Sequence, residues 1–274
     1  MNGIVINIDP VIFHFGGFEL RWYSLAIIVG IVVATLLAVR EAKRKGIEAD
    51  QIYSLALWVV VGGVVGARLF HVIDQWSYYA SNPAQILQFQ RGGLAIWGAV
   101  AGGMIATVVF SKMKSLSLGR LVDAMTPGLL TAQIIGRFGC IVNGDAYGGL
   151  TNLPWAFIYI HPGALIPERL FGQPTHPYPL YEIIWNGLAL LLIWRLRGVF
   201  KQDGLLFLSY LPVYALGRFL LTFVREENIT LWGMQQAQVV ALLILIISIA
   251  VLVYRLRRPA AVPVAAQKEA DSNS

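Results

Sequence analysis

Seven apolar runs, each long enough to cross a bilayer, recur along this 274-residue sequence. A helix needs about 20 mostly apolar residues to cross about 30 Å of hydrocarbon, where no water satisfies exposed backbone groups. Apolar side chains make up 57% of the residues and charged side chains only 13%, unlike a soluble domain. The sequence therefore predicts an all-α polytopic membrane protein. The predicted spans are residues 22–39, 52–73, 93–111, 121–138, 178–196, 204–223 and 236–254.

Basic residues are concentrated in the loops that follow spans one, three, five and seven. Short loops that stay in the cytoplasm carry an excess of lysine and arginine. The pattern therefore predicts an N-terminus outside and a cytoplasmic C-terminus. The net charge of +6 then follows from topology and from attraction to anionic lipids, and needs no nucleic-acid partner. The basic loop residues are Arg40, Lys43, Arg44 and Lys45; Lys112, Lys114 and Arg120; Arg195, Arg197 and Lys201; and Arg255, Arg257, Arg258 and Lys268.

Two segments between spans, residues 74–91 and 143–177, are longer than simple turns and fall on the predicted outer side. Glycine and proline recur through the second segment, which excludes a long helix there and predicts a small, loop-rich outer cap. Residues 1–258 are predicted to form one membrane domain that includes this cap. Residues 259–274 are rich in alanine, proline and polar side chains and are predicted to be a disordered cytoplasmic tail.

Charged side chains inside the predicted spans are candidates for function. A buried arginine costs about 2.5–3.5 kcal/mol on insertion scales, so it persists where it faces a polar cavity or an anion. Arg137 lies in the block Gly136–Gly148, and Arg218 lies deep in span six, where we expect an anion or carboxylate partner. Glu182 lies within the first two turns of span five and is expected to pair with Arg137 or Arg218. For Arg68 a buried polar role is favoured over snorkelling to the interface.

Two further polar residues and one glycine run keep two interpretations each. His71 shares a helix face with Arg68 and is either a packed, hydrogen-bonded histidine or a base. Asp123 either caps its helix or pairs with Arg120, or it has a structural role in the cavity. The glycine run Gly92–Gly103 serves close helix packing, or admits a lipid glycerol group. The sequence has no metal-ligand spacing, nucleotide-binding glycine loop or serine nucleophile motif, so we predict no metal and no cofactor.

Five motifs in order resemble the prolipoprotein diacylglyceryl transferase family. The resemblance covers about residues 21–258, and its specific part is the central block with Arg137, Asn143 and Asp145. The motifs are Arg21-Trp22-Tyr23, the run Gly92–Gly103, the block Gly136–Gly148, His176-Pro177 with Tyr181-Glu182, and Tyr214–Phe219.

This resemblance implies a seven-span enzyme of the bacterial inner membrane. Such enzymes transfer the diacylglyceryl group of phosphatidylglycerol to the thiol of the lipobox cysteine in a preprolipoprotein signal peptide. A thioether forms and glycerol phosphate is released. Phosphatidylglycerol, the preprolipoprotein and the lipid bilayer are thus the expected partners.

Under that chemistry, Arg137 and Arg218 are the predicted catalytic cations, because one guanidinium group can donate to two phosphate oxygens at once. The substrate thiol must lose its proton, and Asp145, His71 and His176 stay open as acceptors, with Asp145 placed among the catalytic residues. The predicted substrate-binding residues are Tyr23, Arg68, Trp97, Asn143, Gly148, His176 and Glu182.

The sequence departs from the family pattern at four positions. Trp97 stands where many members have histidine, Cys140 where asparagine is usual, and Asp145 where glutamate is usual. Thr222 stands where some members have an acidic residue. Tryptophan is no base, so a mechanism that requires that histidine fails here, and a paralogue acting on another thiol or lipid stays open. An anion or lipid transporter is a further alternative, although paired interrupted helices in two related halves are not evident.

Overall fold

The computed structural model describes residues 3–16, 18–88, 92–226, 229–231 and 233–257. The predicted tail, residues 259–274, lies outside them, as do Arg258 and Lys268. The described chain is mostly helical and forms two compact units, one made of Met1–Ile31 with Leu129–Ser274 and the other of Val32–Gly128. We call these the site unit and the arm unit. The helices are α1 (Trp22–Arg44), α2 (Ala49–Asp74), α3 (Trp76–Ser81), α4 (Ile96–Met113), α5 (Leu118–Asn143), α6 (Tyr178–Leu196), α7 (Leu205–Leu221) and α8 (Gln236–Arg257).

Among the described residues, five helices are long and apolar enough to cross a membrane, namely α1, α2, α4, α5 and α8. Helix α7 has 17 residues, and α6 carries the buried polar residues Glu182 and Asn186. A helix covers each of the seven predicted spans, but the count of seven spans stays a prediction. The third span begins later than predicted, at Ile96, because Gly92 and Gly93 adopt left-handed φ angles of +81° and +73°.

In the arm unit, α2 and α4 pack with their backbones in close contact. A Cβ added at Gly66 would collide with the carbonyl oxygen of Gly98, and one added at Gly102 would collide with that of Gly62. The glycine run therefore serves close helix packing, the first of its two predicted roles. An apolar cluster completes this unit. It contains Ala38, Val39, Ala42, Ile47, Ile52, Leu55, Phe110, Leu121 and Ala124.

In the site unit, the apolar core lies among α5, α6 and α7. Tyr210 of α7 is buried there, and its hydroxyl oxygen accepts a hydrogen bond from Gln133 Nε2 at 2.7 Å. Gly139 of α5 lies against α1, where a Cβ would be 2.9 Å from the Cα of Tyr23. The core residues are Leu130, Ala189, Ile193, Leu206 and Tyr210.

Short strands join the segments that an all-α prediction leaves as loops. The N-terminal strand β1 (Ile4–Ile6) pairs in parallel with β4 (Phe157–Tyr159), which pairs antiparallel with β5 (Pro174–Thr175). Two hairpins add β2 (Val11–Phe15) with β3 (Phe18–Arg21), and β6 (Ile229–Leu231) with β7 (Met234–Gln235). Strand β4 is fully buried, and its backbone groups, which lie outside a helix, still need hydrogen-bond partners.

Residues 144–177 contain a single 3₁₀ turn, Glu168–Leu170, and no longer helix, as the density of glycine and proline predicts. A small apolar core joins this segment to strand β1. It contains Ile6, Phe157, Tyr159, Ile166 and Leu170. The segment therefore has its own packed structure.

Candidate active site with two arginines on one glutamate

Helix α6 begins with two functional side chains one turn apart. Pro177 precedes the helix and Pro179 occupies its first turn, where proline has the φ angle that a helix requires and lacks only an N–H that would stay unbonded. Tyr178 and Glu182, four residues apart, therefore face the same way. Both are buried.

Glu182 binds two arginines from two other helices. Arg137 of α5 donates from Nη2 to Glu182 Oε1 at 2.9 Å, and its Nε lies 2.5 Å from Oε2. Arg218 of α7 places Nη1 3.3 Å from the same Oε1. The expected pairing of Glu182 with Arg137 or Arg218 is confirmed, and the structure shows both contacts at once.

The arrangement brings several guanidinium groups together near one carboxylate. Two guanidinium groups share one carboxylate, and their side chains are 25% and 20% exposed, so they remain partly accessible. A third guanidinium is close by, since the Arg225 Cζ lies 5.1 Å from the centre of the Tyr178 ring. Cations with this spacing in a poorly solvated site can hold a phosphate or another oxyanion.

Cys140 lies against this cluster. Cys140 is buried, and its Sγ accepts a hydrogen bond from Arg137 Nη1 at 3.6 Å. Tyr23 of α1 packs against Cys140 and Tyr178, held there by the close approach of α1 to Gly139. The departure at Cys140 therefore places a thiol beside Arg137.

Asn143 and Gly148 have structural positions beside the cluster. Asn143 ends α5 and is buried, its carbonyl oxygen accepts from Leu165 N at 2.9 Å, and its Oδ1 has no hydrogen-bond partner among the described residues. Gly148 donates its N–H to the carbonyl oxygen of His176 at 3.1 Å. A Cβ at Gly148 would lie 2.5 Å from the carbonyl oxygen of Val224, so only glycine fits there.

The proton-acceptor candidates in this unit differ in exposure. His176 is half-buried, and its Nδ1 lies 3.3 Å from the hydroxyl of Tyr181. Asp145 is exposed. Burial raises the pKa of the Tyr159 hydroxyl, and the nearby Asp145 carboxylate raises it further. Tyr159 therefore stays protonated and is no base.

Two residues of this region were missed by sequence reasoning. Tyr178 hydrogen-bonds Arg218, and the four-residue spacing to Glu182 is the signal that would have found it. Tyr159 has a buried hydroxyl without a hydrogen-bond partner among the described residues, and nothing local in the sequence marks it.

The arm unit contains the other predicted site residues. Arg68 donates to main-chain carbonyl oxygens at 2.6–3.4 Å, and its Cζ lies 5.3 Å from the centre of the Tyr79 ring. The carbonyl groups belong to Gln85, Ile86, Gln88, Gly92 and Gly93. Arg68 therefore holds the segment after α3 in place.

His71 and Arg68 line one cleft of about 330 Å³ in the arm unit. His71 is packed edge-on against Tyr79 with ring centres 5.8 Å apart, as the packed interpretation predicts. Asp123 pairs with Lys45, whose Nζ lies 3.1 Å from Oδ2, a partner that the sequence interpretation did not name. Trp97 is the second residue of α4, and 44% of it is exposed.

The described residues contain no group of three or more histidine, cysteine or acidic side chains that could hold a metal ion. What they contain is a partly buried cationic cluster on apolar helices. The fold and the site thus define a helical membrane protein with a cationic site.

Comparison with known proteins shows which family of membrane proteins the chain belongs to. A family model described as prolipoprotein diacylglyceryl transferase matches residues 10–254. The chain is similar to three phosphatidylglycerol–prolipoprotein diacylglyceryl transferases. That of Lysinibacillus sphaericus is 34% identical over 93% of this chain and 95% of the relative; that of Clostridioides difficile is 35% identical over 86% and 90%; that of Staphylococcus aureus is 37% identical over 93% and 92%. The chain belongs to the prolipoprotein diacylglyceryl transferase family.

Proposed function

We propose that this protein transfers the diacylglyceryl group of phosphatidylglycerol to the lipobox cysteine of a prolipoprotein, the first step of bacterial lipoprotein maturation. The relatives' names supply the two substrates and the transferase class. The observation that carries the proposal is the placement of Arg137 and Arg218 on one carboxylate, with both guanidinium side chains partly accessible. A lipid phosphate is an anion that such a site would bind.

The reaction forms a bond between the substrate sulfur and a glycerol carbon and breaks that carbon's bond to a phosphate oxygen. The thiol proton is lost, and glycerol phosphate departs with the bonding electrons. Negative charge therefore develops on the leaving phosphate. Arg137 and Arg218 are the residues that stabilise it, because preorganised cations act most strongly where water is excluded.

Deprotonation of the thiol is the second requirement. Nearby arginines favour a thiolate, so a strong base is unnecessary. Asp145 is our catalytic candidate for the proton acceptor, and His176 and His71 are the alternatives. The exposure of Asp145 supports proton release to water.

The remaining residues serve binding in this proposal. Tyr23 and Asn143 orient polar substrate atoms, Gly148 keeps backbone close to the site, and Glu182 sets the positions of both arginines. His176 contributes through its contact with Tyr181.

In the arm unit, Arg68 and Trp97 are proposed to bind substrate. The main-chain bonds of Arg68 support an indirect role, through the segment that it holds. The partial exposure of Trp97 supports contact with lipid.

We also propose that all seven apolar segments cross the bacterial inner membrane, with the N-terminus outside, the C-terminus cytoplasmic and residues 143–177 as an outer cap. The five long apolar helices and the basic loops support this topology. The cap would receive the signal peptide. The single membrane domain of residues 1–258 stays a prediction.

The test is direct. Purified protein is incubated with phosphatidylglycerol and a lipobox peptide, and the peptide is analysed by mass spectrometry. We expect a mass gain of one diacylglyceryl group and none on a peptide with serine in place of the cysteine. No gain with any phospholipid, while a histidine-bearing relative is active in the same assay, would reject the proposal in favour of a paralogue with another substrate.

A further inference from the structure

Tyr178 contacts two of the three guanidinium groups near Glu182 with different parts of its side chain. Its hydroxyl oxygen accepts a hydrogen bond from Arg218 Nη1 at 2.7 Å. The face of its ring lies under Arg225, with Cζ 5.1 Å from the ring centre. Tyr178 is fully buried, so water does not replace either contact.

The hydroxyl and Glu182 both accept hydrogen bonds from Nη1 of Arg218. Arg137 takes the close contact with Oε1, at 2.9 Å, whereas Arg218 Nη1 is 3.3 Å from that oxygen and 2.7 Å from the Tyr178 hydroxyl. The shorter bond therefore goes to the neutral partner. A neutral acceptor adds no negative charge beside Arg218, so it orients the guanidinium without weakening its attraction for an anion.

The backbone at Tyr178 is restrained. Pro177 and Pro179 flank it at the start of α6, and proline fixes φ, so the tyrosine has little freedom to move. Its hydroxyl therefore restricts the position of the Arg218 side chain.

We propose that Tyr178 is a positioning residue that orients Arg218 through its hydroxyl and Arg225 through its ring, so that both arginines can bind a phosphate. The inference rests on the proposed function, because it assumes that the arginines bind the phosphate of the lipid. Tyr178 itself takes no part in bond making. Loss of its hydroxyl removes the shorter of the two hydrogen bonds that fix Arg218 Nη1 and so weakens binding of the leaving phosphate.

The test compares Tyr178→Phe with Tyr210→Phe. Tyr210 is also buried in the site unit, and its hydroxyl accepts from neutral Gln133 at 2.7 Å, so both variants lose one buried hydroxyl and one hydrogen bond. We measure kcat, KM for phosphatidylglycerol, the inhibition constant of glycerol phosphate and thermal stability in detergent. Tyr178→Phe should lower kcat about tenfold and raise the inhibition constant about tenfold. Tyr210→Phe should change neither.

A second variant separates the ring from the hydroxyl. Tyr178→Leu also removes the ring beneath Arg225 and should lower kcat further than Tyr178→Phe does. The positioning role is overturned if Tyr178→Phe retains wild-type kcat and wild-type inhibition by glycerol phosphate. It is equally overturned if both phenylalanine variants lose activity only in proportion to lost stability. An inactive wild-type protein would instead contradict the proposed function, and glycerol phosphate binding by the variants would then still test the position of Arg218.

Discussion

Arg137 holds Glu182 at two points, with Nη2 2.9 Å from Oε1 and Nε beside Oε2. The residues are 45 positions apart and come from α5 and α6. This ion pair turns one face of Arg137 to Glu182, and its Nη1 is directed to Cys140 Sγ. A second cation, Arg218, donates to both Tyr178 and Glu182 from another helix.

Arg137→Ala should abolish transfer while the protein still inserts and folds, and Arg137→Lys should restore only a small part of it. Lysine lacks the planar fork of donors through which arginine binds two oxygens of a carboxylate or a phosphate. Loss of a charged hydrogen bond costs about 1.5–3 kcal/mol. The adduct assay measures the rates. The control is Arg195→Ala, an exposed arginine in the last turn of α6, which should keep wild-type turnover. Near-normal turnover by Arg137→Ala would remove Arg137 from the mechanism.

Substitutions at Trp97 distinguish two possible mechanisms. If this position shapes the lipid pocket, Trp97→Phe should retain most activity and Trp97→Ala should raise KM for phosphatidylglycerol several-fold by opening a cavity. If a histidine here were the obligatory base, the wild-type protein would be inactive and Trp97→His would create activity. Rates of the four proteins with one lipid and one peptide decide between these outcomes.

Gly66→Ala should destabilise the arm unit, whereas Gly63→Ala should not. A Cβ at Gly66 meets the Gly98 carbonyl, and overpacking typically costs about 1–3 kcal/mol. A Cβ at Gly63 lies 3.5 Å from its nearest neighbour, an ordinary contact, and alanine favours a helix by about 1 kcal/mol over glycine. Unfolding of both variants in detergent measures the difference. Equal stabilities would show that α2 and α4 do not pack in this way.

Tyr159→Phe should stabilise the protein, most clearly at alkaline pH. The hydroxyl has no hydrogen-bond partner among the described residues, and its removal should gain about 1 kcal/mol. Burial raises the pKa of Tyr159 in the folded protein, so the unfolded chain ionises first. The wild-type protein therefore loses stability as the pH rises above about 10, and the variant lacks this contribution.

Thermal unfolding between pH 8 and 11 measures this effect. Tyr147→Phe serves as the control, because Tyr147 is half-buried against the same small core. It should follow the wild-type curve. Parallel curves for all three proteins would show that Tyr159 ionises as freely in the folded protein as in the unfolded chain.

A reporter fused after Arg258 should behave as cytoplasmic, and one inserted near Gly163 should behave as exported. The physical reason is the retention of basic loops in the cytoplasm. Alkaline phosphatase and green fluorescent protein fusions report the two sides. The opposite result at either position would break the seven-span topology.

Local sequence patterns were sufficient for the helices and for three charged residues of the cluster. Apolar runs predicted the positions of all eight helices except the short α3, and the cost of charge in a membrane singled out Arg137, Glu182 and Arg218. The same rule marked Arg68 as a buried polar residue. It did not show that its partners are main-chain carbonyl groups after α3, because those groups are present in every sequence.

The sequence by itself determined which segments are apolar helices, where glycine and proline interrupt them, and which charged residues are too deep to be solvated by water. These properties depend on composition and on spacing of a few residues. Only the tertiary structure decided that one glutamate serves two arginines, that Tyr178 holds the second of them, and that Lys45 pairs with Asp123. Such contacts join residues 36–78 positions apart, and their geometry depends on how helices pack, which no local period encodes.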